Sequence, residues 1–179
     1  MSKKRIATVW LAGCSGCHMS LLDIDERILD VAKLADIVKC PIVDGKEFPE
    51  VDVALVEGAV ASDEHLREIK HIRAKSKILI SLGDCAVTGN VSSLRNFLSK
   101  EAVLSRAYIE AESNENGVIP NSPEIQKLID RVVPLHEVVK VDYYIPGCPP
   151  SADLIFYVLS ELLSGRVPDL EQGRKLKYG

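Results

Sequence analysis

The sequence predicts an α/β fold in which helices cover both faces of a parallel β-sheet. Apolar, β-branched runs alternate with segments of helical periodicity along most of the 179 residues. The runs at residues 6–11 and 78–82 are almost continuously apolar, as is typical of strands covered on both faces. A composition of 46% hydrophobic and 27% charged residues is that of a soluble globular domain. These observations favour a doubly wound sheet with right-handed crossovers.

Each element has its own signal along the chain. Strands are predicted at residues 6–11, 53–56, 78–82 and 138–145, with a weaker one at 37–43. Apolar residues at the 3.6 period predict helices over residues 18–35 and 62–76, the second capped by Ser62. A helix over 152–163 is apolar nearly all round, so either its own sheet or another subunit must bury it. Residues 101–135 form an irregular excursion with a short helix near 124–132, and the whole chain, 1–179, is predicted to be a single flavodoxin-like domain.

Charge and hydropathy exclude several classes of function. The net charge of −4 has both signs interspersed, so no basic stripe for nucleic acid is present. No apolar run approaches the roughly 20 residues of a membrane span, and the start lacks a convincing signal-peptide core. We therefore expect a cytoplasmic protein. In that compartment the five cysteines are predicted to be metal-binding, catalytic or buried rather than paired in disulfides.

Four of the cysteines follow predicted strands. Cys14 and Cys17 come after the first strand, Cys85 follows the strand at 78–82, and Cys148 follows the strand at 138–145. The carboxyl ends of parallel strands share one edge of a sheet, where ligands bind, so these four thiols should converge. Cys40 falls inside the weak strand and is expected to be a small buried hydrophobe.

Several chemistries compete for four thiols. They can hold a structural zinc or a [4Fe-4S] cluster, but zinc ribbons use two local pairs, and here one pair joins two single cysteines, which favours the cluster. A thioredoxin-like redox pair would leave Cys85 and Cys148 unexplained. A flavin module would need a hydroxyl- and glycine-rich phosphate loop where this chain has GCSGCHMS. Glycines beside the cysteines can turn the backbone N–H groups toward sulfur; they are Gly13, Gly16, Gly83 and Gly147.

Four motifs resemble a known family. WLAGCSGCHMSLL, LVEGAV, SLGDCAVTGN and IPGCPPS are similar to the proximal-cluster motifs of the small subunit of [NiFe] hydrogenases, a family related to the cluster-bearing subunit of complex I. In the complex I relative, the first motif resembles a pair of adjacent cysteines. Here Ser15 and Gly16 separate Cys14 from Cys17, which favours the hydrogenase branch. Asn90 stands where the family often has glycine.

The resemblance implies an electron-transfer subunit. It implies one [4Fe-4S] cluster on Cys14, Cys17, Cys85 and Cys148, with no catalytic residue in this chain. A large subunit would hold the nickel-iron centre, and diaphorase subunits with flavin (FMN), iron-sulfur clusters and NAD would take the electrons, in the overall reaction H2 + NAD+ = NADH + H+. No cysteine remains for another cluster, no twin-arginine signal is present, and the ending GRKLKYG is similar to soluble NAD(P)-reducing enzymes. The alternative is a subunit of another soluble hydrogenase type or a complex I-like cluster subunit, and the choice between NAD and NADP stays open.

Residues beside the cysteines suggest further roles. Glu57 ends its strand at the same edge, where it could accept hydrogen bonds, relay protons, bind iron through oxygen, or simply lead into the next turn beside Gly58. Trp10 is expected in the core. His18 is predicted either to donate to a sulfur or contact a partner, or to be capping or exposed. Turn formation is the expected role of Asp84 and Thr88.

Overall fold

A parallel sheet occupies the centre of the protein in the computed structural model, which describes residues 3–43, 45 and 47–170. The strands of the described chain are β1 (Lys4–Trp10), β2 (Ala35–Lys39), β3 (Val51–Glu57), β4 (Val60–Ser62), β5 (Ser76–Leu82), β6 (Leu128–Val133) and β7 (Tyr143–Ile145). Five of them form the central sheet in the order β2-β1-β3-β5-β7, and a separate antiparallel pair joins β4 to β6. The predicted parallel α/β architecture is confirmed.

Helices connect these strands and cover both faces of the sheet. Ser62 caps the longest of them by accepting the N–H of His65 at 3.2 Å, as predicted. None of the helices in the described ranges is long and apolar enough to cross a membrane. They are α1 (Gly16–Leu22), α2 (Ile28–Leu34), α3 (Asp63–Lys75), α4 (Asp84–Thr88), α5 (Lys100–Tyr108) and α6 (Ala152–Leu163), with 3-10 segments at Asp25–Arg27, Asn90–Phe97 and Leu135–Glu137.

Alternate residues of the central strands pack into two separate hydrophobic cores. Along β3, Val53 and Leu55 face the core that contains α6, whereas Ala54 and Val56 face the core that contains α3, as the two-residue period of a strand requires. The apolar helix α6 is therefore buried against its own sheet and the neighbouring helices. Its inward residues include Ile155, Val158 and Leu159.

The continuous helix predicted over residues 18–35 is wrong. Helix α1 ends at Leu22, a 3-10 turn follows, and α2 ends at Leu34, so Ala35 already belongs to β2. Asp25 has a left-handed φ of +51°, a conformation that interrupts a right-handed helix. Because β2 ends at Lys39, Cys40 lies just after the strand and is half-buried, so the prediction that it is buried inside a strand is also wrong.

The excursion at residues 101–135 is more regular than predicted. Its helix is α5, which Ser99 caps, and the helix expected near 124–132 is wrong because β6 occupies that stretch. Asn96 holds β6 in place, since its amide accepts the N–H of Val132 at 2.7 Å and donates to the same residue's carbonyl at 2.8 Å. The strand predicted at 138–145 shortens to β7.

Residues 171–179, including the ending GRKLKYG, lie outside the described residues.

Candidate functional site

The four cysteines that follow strands line one cavity at the carboxyl edge of the sheet. The cavity has a volume of about 80 Å³, and Cys14, Cys17, Cys85 and Cys148 all contribute to its wall. The convergence that the sequence predicts is therefore what the structure shows. Cys14 and Cys148 are exposed, whereas Cys17 and Cys85 are half-buried, so the cavity opens to the surface on one side. Cys40 lies apart from this group and lines a pocket with Trp10 and Pro41.

The loop that carries Cys14 and Cys17 is tied to the end of β3. Leu11 donates its N–H to the Glu57 carbonyl at 2.8 Å, and Ala12 and Ala59 exchange hydrogen bonds of 3.0 and 2.8 Å. Gly58, at φ +84°, permits this approach because a Cβ atom there would lie 2.8 Å from the Leu11 carbonyl carbon. Adjacent loops from β1 and β3 are thereby fixed against each other.

Gly83 sets the other wall of the cavity. It has φ +80° and ψ 162°, a combination essentially restricted to glycine. A Cβ atom built there would lie 2.2 Å from the Cys17 Sγ atom. This glycine therefore makes room for a thiol that comes from a different strand.

Asp84 joins the turn of Cys85 to the turn of Cys148. Its Oδ1 atom accepts the N–H of Gly147 at 2.7 Å, and its own N–H donates to the Gly147 carbonyl at 2.9 Å. The sequence suggested only a turn former at this position. Thr88 has the expected local role, donating its hydroxyl to the Asp84 carbonyl at 2.9 Å. The reciprocal contact of Asp84 with Gly147 crosses 63 positions of sequence, and no local pattern reveals it.

A second polar tie links α1 to the Cys148 loop. The Ser20 hydroxyl donates to the Pro150 carbonyl, and both groups are buried. Ser151 then caps α6 by accepting the N–H of Leu154 at 3.3 Å. Together with the contact of Asp84 with Gly147, these hydrogen bonds hold the loop between β7 and α6 at both of its ends.

Glu57 lies buried beside the cysteine loop, with 2% of its surface exposed. Its Oε2 atom accepts the backbone N–H of His18 at 2.8 Å, and the same oxygen lies 3.0 Å from His18 Nδ1. That second approach is a close electrostatic contact rather than an aligned hydrogen bond, since both ring nitrogens of His18 lack a hydrogen-bond partner in the described structure. Of the roles considered for Glu57, the geometry displays that of a hydrogen-bond acceptor.

The other two neighbours differ from expectation. His18 is buried, so the exposed position considered for it is wrong. Trp10 was expected in the core but is 47% exposed, and its ring meets the edge of His18 with centroids 5.6 Å apart. Trp10 is the last residue of β1 and still pairs with Glu57 of β3, at the end of the sheet that carries the cysteine cavity.

Burial favours the protonated form of the inner thiols. It raises the pKa of Cys17 far above that of a free thiol, and the nearby Glu57 carboxylate and the Cys85 and Cys14 sulfurs raise it further. Burial also raises the pKa of Cys85, although hydrogen bonds with the Ser92 hydroxyl and N–H oppose the shift. A strongly positive centre in the cavity, such as bound metal ions, would draw these protons off. Sequence reasoning missed Ser92, which carries no motif signal.

Asn90 contacts Cys148, one of the two exposed thiols. It adopts a left-handed φ of +36°, so the turn keeps the conformation that glycine favours at this position. Its Nδ2 atom lies 3.4 Å from the Cys148 Sγ atom.

The chain is similar to subunits of several hydrogenases. The chain is 42% identical over 172 residues to the delta subunit of the NAD-reducing hydrogenase HoxS of Cupriavidus necator, covering 94% of this chain and 82% of that one. It is 44% identical to a subunit of the F420-non-reducing hydrogenase of Methanothermobacter marburgensis, covering 94% of this chain but only 56% of that one. A crystal structure of an NAD+-reducing [NiFe]-hydrogenase in the H2-reduced state contains a chain that is 40% identical, with a TM-score of 0.95, over 99% of this chain and 100% of that one.

The family model of the NADH ubiquinone oxidoreductase 20 Kd subunit matches residues 14–162, from the first cysteine of the cavity to the penultimate residue of α6. The resemblance to hydrogenase small subunits is confirmed by the relatives and the solved structure. This chain therefore belongs to the family of the NADH ubiquinone oxidoreductase 20 Kd subunit.

Proposed function

We propose that this chain is the electron-transfer small subunit of an NAD(P)-reducing [NiFe] hydrogenase and holds one [4Fe-4S] cluster on Cys14, Cys17, Cys85 and Cys148. The observation that carries the proposal is the single cavity whose wall contains all four thiols. The identity with the HoxS delta subunit over most of both chains supports the choice of partner enzyme.

The chemistry of the cavity fits an iron-sulfur cluster. Four cysteine thiolates are the usual ligands of a [4Fe-4S] centre, and all four cysteines line one cavity. Zinc ribbons use two local pairs of cysteines, whereas here one local pair meets two single cysteines that follow other strands, which supports the cluster over zinc.

The protein's own residues leave space for the cluster and hold the backbone beside it in place. When bound, the cluster carries one electron at a time. Gly83 and Gly147 leave the cavity free of side-chain bulk, since their φ values of +80° and +135° suit glycine alone. Glu57 accepts the His18 N–H at 2.8 Å and thereby orients the first turn of α1, which carries Cys17. Its role as a proton relay stays a prediction.

Exposed apolar side chains follow Asn90, the neighbour of Cys148, and support a partner subunit. The 3-10 segment that begins at Asn90 displays large apolar side chains to solvent, and Phe97 is 86% exposed. Such clusters on a folded protein mark interaction sites. We assign this surface to a hydrogenase large subunit with the nickel-iron centre, and we place FMN and NAD on diaphorase subunits, in the cytoplasm. The apolar surface comprises Val91, Leu94, Phe97 and Leu98.

A second candidate is the small subunit of a soluble hydrogenase with another electron acceptor. The identity of 44% with the F420-non-reducing hydrogenase of Methanothermobacter marburgensis supports it. NAD(P)H formation from hydrogen by the purified complex would favour the first candidate. Reduction of a different acceptor, with no NAD(P)H formed, would favour the second.

Metal analysis of the complex tests the cluster directly. Anaerobically purified protein should be brown and contain about four irons and four acid-labile sulfides per chain. Single substitutions Cys14→Ser, Cys17→Ser, Cys85→Ser and Cys148→Ser should each lower the iron content or alter the spectrum, because each removes one ligand.

The matched control is Cys40→Ser, which changes a cysteine that lines a different pocket and should leave iron unchanged. A colourless protein with one zinc per chain would contradict the cluster. Full thiol oxidoreductase activity after Cys85→Ser would instead support a redox pair formed by Cys14 and Cys17.

A further inference from the structure

The turn after α4 brings N–H groups to the thiols from one side. Gly89 and Asn90 both have left-handed φ values, +88° and +36°, and the 3-10 segment starts at this point. Ser93 closes the turn, since its hydroxyl donates to the Asn90 carbonyl at 2.8 Å and its N–H donates to the Gly89 carbonyl at 3.1 Å. The backbone of Asn90 is therefore fixed beside the cavity.

The side chain of Asn90 reaches Cys148. Its Nδ2 atom is 3.4 Å from the sulfur, within the range of an N–H···S hydrogen bond. A thiolate can only accept hydrogen bonds, so the amide nitrogen is the end of Asn90 that suits this contact. Cys148 is exposed, and this side-chain donor comes from 58 positions away in the sequence.

Ser92 is the comparable neighbour of Cys85, but its hydroxyl also has a structural partner. That hydroxyl donates to the Ala12 carbonyl at 2.9 Å, which ties the turn to the loop after β1. Asn90 is therefore the neighbour whose removal changes the surroundings of a thiol without releasing that backbone tie.

We propose that Asn90 raises the reduction potential of the cluster by donating a hydrogen bond to Cys148, an inference that rests on the proposed function. A hydrogen bond to a ligand sulfur is stronger in the more negative, reduced form, so a donor favours reduction. Asn90 acts through Cys148 as a positioning residue and does not take part in hydrogen splitting. Asparagine suits the site doubly because it tolerates the left-handed backbone and carries the donor.

The test is an EPR-monitored redox titration of the anaerobically purified complex, following the signal that Cys148→Ser alters. Asn90→Gly removes the amide and accepts the same backbone conformation. It should lower the equilibrium constant for reduction about threefold to tenfold, a fall of about 28 to 59 mV at about 59 mV per tenfold change for one electron. Asn90→Asp keeps the shape but replaces the donor with a negative charge, so its fall should be larger.

The matched control is Asn96→Gly in the same 3-10 segment. Its amide bonds to the backbone of Val132, so the substitution removes an equal group that contacts no thiol, and the midpoint potential should stay at the wild-type value. An unchanged potential in Asn90→Gly with full iron content would overturn the inference and leave the proposed function intact.

Loss of iron also gives a decisive result. If Asn90→Gly and Asn90→Asp both fail to retain the cluster while Asn96→Gly retains it, Asn90 is needed for assembly and the tuning role is wrong. A wild-type complex without any iron-sulfur signal would refute the proposed function itself. The two failures are thus distinguished by the wild-type sample.

Discussion

Substitution of Gly83 by alanine tests whether the cavity depends on this glycine. The added Cβ atom would lie 2.2 Å from the Cys17 Sγ atom, more than 1 Å inside the 3.4 Å limit of ordinary contact. Either Cys17 or the turn after β5 must move by about that amount. The backbone adds a second cost, because φ +80° and ψ 162° cost a residue with a side chain about 1–3 kcal/mol.

We expect Gly83→Ala to lower both stability and iron content. For a chain of this size, a loss of 1–3 kcal/mol corresponds to a fall in Tm of roughly 2–12 °C. The assay combines thermal unfolding, followed by circular dichroism under anaerobic conditions, with iron and sulfide determination on the same preparation. Displacement of Cys17 should appear as incomplete iron loading even at temperatures where the protein stays folded.

Gly165→Ala is the matched control for backbone strain. Gly165 has a similar φ of +77°, but a Cβ atom there would meet nothing within 4 Å. This variant should lose stability through its backbone alone and keep its full iron content. If Gly83→Ala retained both wild-type Tm and wild-type iron, the reasoning from the Cβ position would be refuted.

Two further predictions concern the hydrogen bonds that the carboxylates Asp84 and Asp142 accept. Asp84→Ala should lower the free energy of unfolding by about 1–3 kcal/mol and weaken iron retention, because the Gly147 N–H loses its acceptor at 2.7 Å. Asp84→Asn keeps an acceptor oxygen and should retain more iron. Equal iron loss in both variants would contradict this explanation. Asp142 accepts the Leu79 N–H at 2.9 Å and a hydrogen bond from Arg73 at 2.5 Å. Burial alone would raise the pKa of Asp142, but these hydrogen bonds and the positive charge of Arg73 outweigh it and hold the pKa of this carboxyl below its ordinary value. A carboxyl with a lowered folded pKa stabilises the fold above its unfolded value, and that contribution is lost as the pH falls through the folded pKa. Asp142→Asn should therefore cost about 1–3 kcal/mol at pH 7, with a difference from wild type in urea unfolding that shrinks below about pH 4. The control is Asp153→Asn, which removes an exposed ion pair with Arg27 and should change the free energy of unfolding little at any pH. If the effect of Asp142→Asn on that free energy did not depend on pH, the stabilising role assigned to the Asp142 carboxylate would be contradicted.

Local patterns were sufficient for the strongest elements of the fold. The nearly continuous apolar runs predicted β1 and β5, and the Ser62 cap predicted the start of α3. They failed where a single backbone conformation or a pairing between distant segments decided between alternatives. The left-handed Asp25 interrupts an otherwise periodic helix, and the pairing of β6 with β4 makes a strand where the local pattern predicted a helix.

The sequence alone determined the chemistry of the candidate site. Cysteine, glycine and proline at strand ends identify four thiols and the edge at which they meet, because parallel strands end on the same side of a sheet. Tertiary structure decided which polar groups surround those thiols. The contacts of Asn90 with Cys148 and of Asp84 with Gly147 join residues 58 and 63 positions apart, and the burial that raises the pKa of Cys17 comes from packing. These contacts and this burial depend on how separate turns approach one another in space, which no local spacing of residues encodes.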